Sequence, residues 1–202
     1  MPRNAFRQQR FRMSKSWPDL FGVSQFLEPF LVDAIVAELK AATGSAATVY
    51  GSTVSGTIDE SVRRTFRVKP SNETVALVIQ KLLALKEAVE KRFDVVLKEC
   101  EEPQFLRYRE GDFFVAHQDG NTGLLRLPTE ERLISTVIFL SRESESPVAG
   151  DYSGGSLVFS HLRDRFRLSS EPGMLVAFRS ETTHEITPVT HGERYSIASW
   201  YR

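Results

Sequence analysis

The chain has 202 residues with 26 basic and 26 acidic side chains, so no global field directs it to nucleic acid or to an anionic membrane. Its 41% hydrophobic and 26% charged fractions are those of a globular protein with a real core, and no apolar run reaches membrane-spanning length. Cys100 is the only cysteine, which excludes an internal disulfide and a cysteine-only metal site and accords with a reducing, cytoplasmic setting.

The length predicts a single domain over residues 21–202 behind a basic tail over residues 1–20. Arg3, Arg7, Arg10, Arg12 and Lys15 occur there with no acid among the first seventeen residues. No apolar secretory core follows. The segment is expected to fray, with a transit peptide or a tether to an acidic partner as the alternatives. A first helix is predicted over 28–43, with Pro29 early in it and Phe30, Leu31, Ile35 and Leu39 on one face. Residues 44–56, rich in Gly, Ser and Thr, predict a loop. A second helix is predicted over 72–93, capped by Ser71 after Pro70. Val75, Val78, Ile79, Leu82, Val89 and Phe93 form its apolar stripe, which must pack on a sheet. Residues 21–94 are thus expected to be helical support.

After residue 94 the pattern changes. Short runs rich in β-branched and aromatic residues occur at 95–97, 105–108, 113–117, 134–140, 156–159, 174–178 and 195–201. The class is therefore α+β and β-rich, with a sandwich or barrel-like jelly roll over 95–202. Two long polar loops, 118–132 and 141–155, are of the kind that serve as lids or binding loops.

The chain has four histidines. His117 and Asp119 stand two apart at the end of a predicted strand, so both project to one face and can reach one ion. Alone this is a short motif with a high false-positive rate. A third ligand must come from His161, His184 or His191. Two imidazoles and one carboxylate on one face of an octahedron leave three open positions, the pattern of non-haem iron oxygenases. Zinc hydrolases can use the same donors in tetrahedral geometry. His184 is favoured by its place after the strand 174–178 and by Arg194 ten residues later, since an arginine there can fork onto the carboxylate of a cosubstrate. His161 and His191 read as exposed loop residues. Trp200 reads either as a wall of the pocket or as a core aromatic.

Five blocks in order resemble the 2-oxoglutarate and iron(II) oxygenase superfamily, specifically its prolyl 4-hydroxylase-like branch. They are Tyr108, Gly111, Phe114, His117 and Asp119; the strand 134–140; Gly154, Gly155 and the strand after them; Gly173 and the strand 174–178; and His184, Pro188, Val189, Gly192, Arg194 and Trp200. Upstream, Arg64 and Thr65 are similar to an Arg-Thr/Ser segment of the same family. The resemblance covers about half the chain, residues 104–202. It implies a double-stranded β-helix, a distorted jelly roll, with the N-terminal helices on its outer face. It implies that His117, Asp119 and His184 ligate Fe(II), that Arg194 binds the distal carboxylate of 2-oxoglutarate, and that Tyr108 lines the same pocket. Some relatives carry a tyrosine where Phe139 stands, so the resemblance leaves its hydroxyl to Ser135 or Thr136. Phe114 likewise stands where many relatives have tyrosine.

The implied reaction consumes 2-oxoglutarate and O2, with ascorbate as a possible reductant, and releases succinate and CO2. Related halogenases lack the carboxylate ligand; with Asp119 present, hydroxylation is expected. The substrate implied first is a prolyl residue of a protein or peptide, bordered by the two long loops. A small molecule, such as a free amino acid or secondary metabolite, is the alternative. A non-catalytic jelly-roll binding module is more remote, because the triad with Arg194 would then be unexplained.

Overall fold

The computed structural model describes residues 7–9, 19–47, 58–120, 131–161 and 163–202. Helix α1 spans Pro29–Ala41 with Pro29 in its first turn, where a missing N–H costs nothing. It buries Val32, Ile35 and Leu39. Phe30, expected on the buried face, is 68% exposed: the stripe follows the three- and four-residue steps from Val32 and leaves Phe30 outside it. Helix α2 spans Asn72–Phe93, as the sequence predicts. The Ser71 hydroxyl accepts the Thr74 backbone N–H at 3.2 Å, satisfying one of the helix's orphan donors. Left-handed Asp94 ends the helix. Its buried stripe is Val78, Leu82, Leu85, Val89 and Phe93.

The strands are β1 (Arg7–Gln9), β2 (Leu20–Ser24), β3 (Gly44–Ala46), β4 (Arg63–Arg64), β5 (Phe66–Val68), β6 (Gln104–Tyr108), β7 (Phe113–His117), β8 (Ile134–Phe139), β9 (Ser153–Gly154), β10 (Leu157–His161), β11 (Asp164–Arg167), β12 (Leu175–Arg179), β13 (His184–Ile186), β14 (Val189–His191) and β15 (Arg194–Tyr201). They form an eight-stranded sheet in the order β1-β2-β12-β8-β15-β6-β5-β3, a five-stranded sheet β11-β10-β13-β7-β4, and the pair β14-β9. The result is the jelly roll, a double-stranded β-helix.

Strand alternation gives the large sheet two different faces. Tyr195, Ile197 and Tyr201 of β15, with Ile134 and Ile138 of β8, join the buried stripes of α1 and α2 in one apolar core. Leu106 and Tyr108 of β6, Phe139 of β8 and Val176 and Phe178 of β12 face the other way and meet Leu157, Phe159 and Ile186 in a second core between the sheets. His117, Asp119, His184 and Arg194 lie beside this inter-sheet core. The Tyr201 hydroxyl donates to the Leu82 carbonyl at 2.7 Å, tying α2 to the last strand.

Several sequence expectations change. Residues 95–97 are not a strand, because their donors serve the end of α2: the Val95 N–H goes to the Glu90 carbonyl and the Leu97 N–H to the Glu90 carboxylate. The expected loop after α1 opens as β3, paired with β5; residues 48–57 lie outside the described residues. In the basic segment, Arg7–Gln9 pairs with β2; residues 1–6 and 10–18 lie outside the described residues. No helix among the described residues is long and apolar enough to cross a membrane.

Leu82 is fully buried in the helix-side core. Leu82→Ala is expected to lower unfolding free energy by about 2–5 kcal/mol, read as a reduced midpoint in urea denaturation followed by circular dichroism.

Candidate metal centre

β7 and β13 are antiparallel neighbours, and their register sets His117 directly across from His184. Asp119 follows β7 by two residues and is anchored by its backbone N–H, which donates to the Ser180 carbonyl at 2.9 Å. One ligand atom from each of these three residues lies within 4.8 Å of the others. Asp119 Oδ1 is 3.5 Å from His117 Nε2, and Oδ2 is 3.6 Å from His184 Nε2.

The imidazoles are fixed from behind. His117 Nδ1 meets the Val115 carbonyl at 2.9 Å and His184 Nδ1 meets the Thr182 carbonyl at 3.0 Å. A carbonyl only accepts, so each Nδ1 carries the hydrogen and each Nε2 lone pair faces the centre. The Phe114 ring stacks on His117 at 3.5 Å and 17°, and Arg63 lies 4.7 Å over Phe114. Phe178 packs edge-on against His184 at 4.8 Å.

Burial, reinforced by His117, pushes His184 down to about 4, against the opposing pull of Asp119. Burial alone would raise Asp119, but the imidazoles of His184 and His117, helped by the Trp200 indole, hold its carboxyl well below the usual range. At neutral pH the folded chain thus presents a neutral His184 beside a carboxylate. His191 carries a 59%-exposed side chain 3.8 Å from Glu110, and His161 is exposed. Both stand at strand ends, outside the cluster.

A cavity of about 150 Å³ opens on the cluster and is bordered by Tyr108, Arg194 and Ser196 as well. Arg194 is 1% exposed. Its Nη1 donates to the Ser196 hydroxyl at 2.7 Å, whereas Nε and Nη2 have no hydrogen-bond partner among the described residues. Those two nitrogens form one edge of the guanidinium, the edge that binds a carboxylate side-on through two parallel bonds. A buried cation without a counterion is costly, so the site fits a ligand that brings a carboxylate. Gly155 makes room for the arginine: a Cβ there would lie 3.1 Å from Arg194 Cδ and 2.8 Å from Val189 Cγ2, at a φ of +58°.

Of the two residues expected to offer a hydroxyl near Arg194, Thr136 borders the same cavity and Ser135 does not. The Ser135 hydroxyl pairs with that of Ser180 at 2.9 Å. The Thr136 hydroxyl is engaged as well, donating to the Ser199 carbonyl at 2.9 Å. The hydroxyl at Arg194 belongs to Ser196, two residues further along the same strand. Same-face spacing was the signal that would have found it. Gln104, Arg132 and Trp200 also border the cavity. Of the loop 141–155, residues 141–142 and 148–151 border a separate groove against α1 instead. Most of the other expected loop, residues 121–130, lies outside the described residues.

The family model described as the 2OG-Fe(II) oxygenase superfamily matches residues 103–202. A PKHD-type hydroxylase of Burkholderia lata is 30% identical over 177 residues, covering 84% of this chain and 74% of that one. A PKHD-type hydroxylase of Paracoccus denitrificans is 32% identical over 103 residues, which cover 48% of this chain and only 41% of the relative. Among solved structures, a Pseudomonas putida prolyl-4-hydroxylase shares the fold with a TM-score of 0.71 at 24% identity, over 92% of this chain and 93% of that one.

The depressed His184 gives a pH prediction. Its folded-state value, about 4, lies below its ordinary 6.5. The stability gained by burying the neutral ring is therefore complete above the ordinary value and is lost as pH falls toward the folded one. The metal-free chain should lose denaturation midpoint between about pH 7 and about pH 4, and His184→Gln should flatten that loss. An unchanged slope in the variant would contradict the assignment.

Proposed function

The chain belongs to the 2OG-Fe(II) oxygenase superfamily, and from that premise we propose that it hydroxylates an unactivated C–H bond of a prolyl residue in a protein or peptide. The observation that carries this reading is the pairing, in one cavity, of the His117–Asp119–His184 cluster with the open carboxylate-binding edge of Arg194. In this reading His117, Asp119 and His184 hold Fe(II), and Arg194 takes the distal carboxylate of 2-oxoglutarate while Tyr108 walls the same pocket. The bound iron, with 2-oxoglutarate and O2, supplies the oxidation, yielding succinate, CO2 and a hydroxylated carbon.

The protein's own contribution is orientation and dryness. The Val115 and Thr182 carbonyls set both histidine tautomers before any ligand arrives. The depressed His184 has no proton to surrender to a metal at neutral pH. Ser196 occupies the third guanidinium nitrogen and leaves one fork for the cosubstrate. The apolar walls, Leu106, Val137, Leu157 and Ile186, exclude water from around these charges and strengthen their interactions. The prolyl substrate is supported by the prolyl-4-hydroxylase likeness in fold; the hydroxylation chemistry is supported by the PKHD-type hydroxylase relatives.

Anaerobic addition of Fe(II) and 2-oxoglutarate is expected to give a visible metal-to-ligand charge-transfer band, lost in His184→Ala and retained in His191→Ala. Admission of O2, with ascorbate as reductant, should release succinate faster when prolyl peptides are present. Stimulation by free amino acids alone would replace the peptide reading with a small-molecule one. Absence of the band would leave only a binding module. Arg194→Lys should raise the 2-oxoglutarate KM by roughly tenfold or more, because a lysine cannot fork onto a carboxylate.

A further inference from the structure

Trp200 shares the inner face of β15 with Arg194, Ser196 and Ala198 and borders the metal cavity. It is 6% exposed, and its buried indole N–H makes no fully formed hydrogen bond among the described residues, yet it lies close enough to Asp119 to help hold that carboxyl down. A short chain of contacts links it to Asp119. Trp200 sits across from Ser135 in the β8–β15 pairing. The Ser135 hydroxyl meets the Ser180 hydroxyl at 2.9 Å, and the Ser180 carbonyl accepts the Asp119 backbone N–H at 2.9 Å.

The indole is held with unusual firmness. The Arg132 guanidinium lies 3.7 Å from its ring centroid. Glu101 clamps that guanidinium through two bonds of 2.7 and 2.6 Å and accepts a third from Arg202 at 3.0 Å. The Glu101 backbone N–H in turn donates to the Trp200 carbonyl at 2.8 Å. A cation on the ring face draws π density from the indole and makes its N–H a stronger donor.

The Asp119 carboxylate straddles the two imidazoles, one oxygen toward each. A metal that takes one of these oxygens leaves the other in a side chain only 12% exposed, where an oxygen without a donor is costly. Trp200 carries a buried donor beside Asp119, and Asp119 would carry the buried acceptor that needs one.

We propose that Trp200 is a positioning residue for the metal-binding carboxylate: its indole N–H donates to one oxygen of Asp119 and leaves the other for the metal, while Arg132 and Glu101 hold the indole in place. This rests on the reading of Asp119 as a metal ligand, and the test separates the two.

The full chain has two tryptophans, Trp17 and Trp200, so its ¹⁵N spectrum holds two indole N–H resonances, assigned by Trp17→Phe. Zinc(II) serves as a diamagnetic probe, its binding followed by calorimetry in wild type and in His184→Ala. The expected result is that zinc moves the Trp200 resonance downfield and slows its exchange with solvent, and that Arg132→Gln reduces both effects. Trp200→Phe, which keeps a ring and deletes the donor, should weaken zinc binding by roughly tenfold. Zinc binding that depends on His184, with an unmoved Trp200 resonance and undiminished affinity in Trp200→Phe, would overturn the positioning role while the metal site stands. Failure of the wild-type chain to bind zinc would overturn both.

Discussion

The pairing of β7 with β13 is the constraint on which the site depends. It sets His117 across from His184, and side chains on paired strands share a face only in the correct register. A slip of one residue would turn one imidazole away from the other and break the cluster. The register is held from several sides. Ile186 is set against Phe114 on the same pair, β10 pairs with the other edge of β13, and the Asp119 backbone is bound to Ser180 at the end of β12. The cluster is therefore made by sheet geometry, and its three members come from two adjacent strands and the turn that follows one of them.

The large sheet separates stability from chemistry by strand parity. Along β15, alternate residues Tyr195, Ile197 and Tyr201 pack toward the helices. The intervening residues Arg194, Ser196, Ala198 and Trp200 border the cavity. The helices seal the back of the sheet, so that its backbone stays fixed while its inner face carries charge. Arg194 is buried on that inner face with two nitrogens making no fully formed hydrogen bond among the described residues, a cost that a carboxylate ligand would offset.

Much of this was legible in the sequence, and the failures have physical causes. His117 and Asp119 follow from the two-residue period of a strand, and α2 follows from its apolar stripe and Ser71 cap. The long strands β7, β8 and β15 carry enough residues to show alternation. β9, β13 and β14 have two or three residues each, too few for any periodicity to register. Residues 95–97 have strand composition, but the backbone donors of Val95 and Leu97 are taken by the end of α2. Ser135 and Thr136 illustrate a different limit. The sequence shows that they alternate, but which of them borders the cavity is decided by how the sheets and helices pack, and that is a tertiary fact. Trp200 could be either wall or core for the same reason.

Phe139 shows how the pocket accommodates a departure from its relatives. With no hydroxyl, it cannot donate to a carboxylate, and its ring lies 5.7 Å from the Arg194 guanidinium carbon. The ring of Tyr108 lies 5.1 Å from the same carbon. Aromatic faces attract a cation without competing for its N–H groups, so these contacts steady the guanidinium and leave its donors in the guanidinium plane. Ser196 then engages Nη1 alone. What remains is a single forked edge, Nε and Nη2: two rings hold the plane, one hydroxyl takes the third nitrogen, and the two remaining parallel donors match the spacing of two carboxylate oxygens.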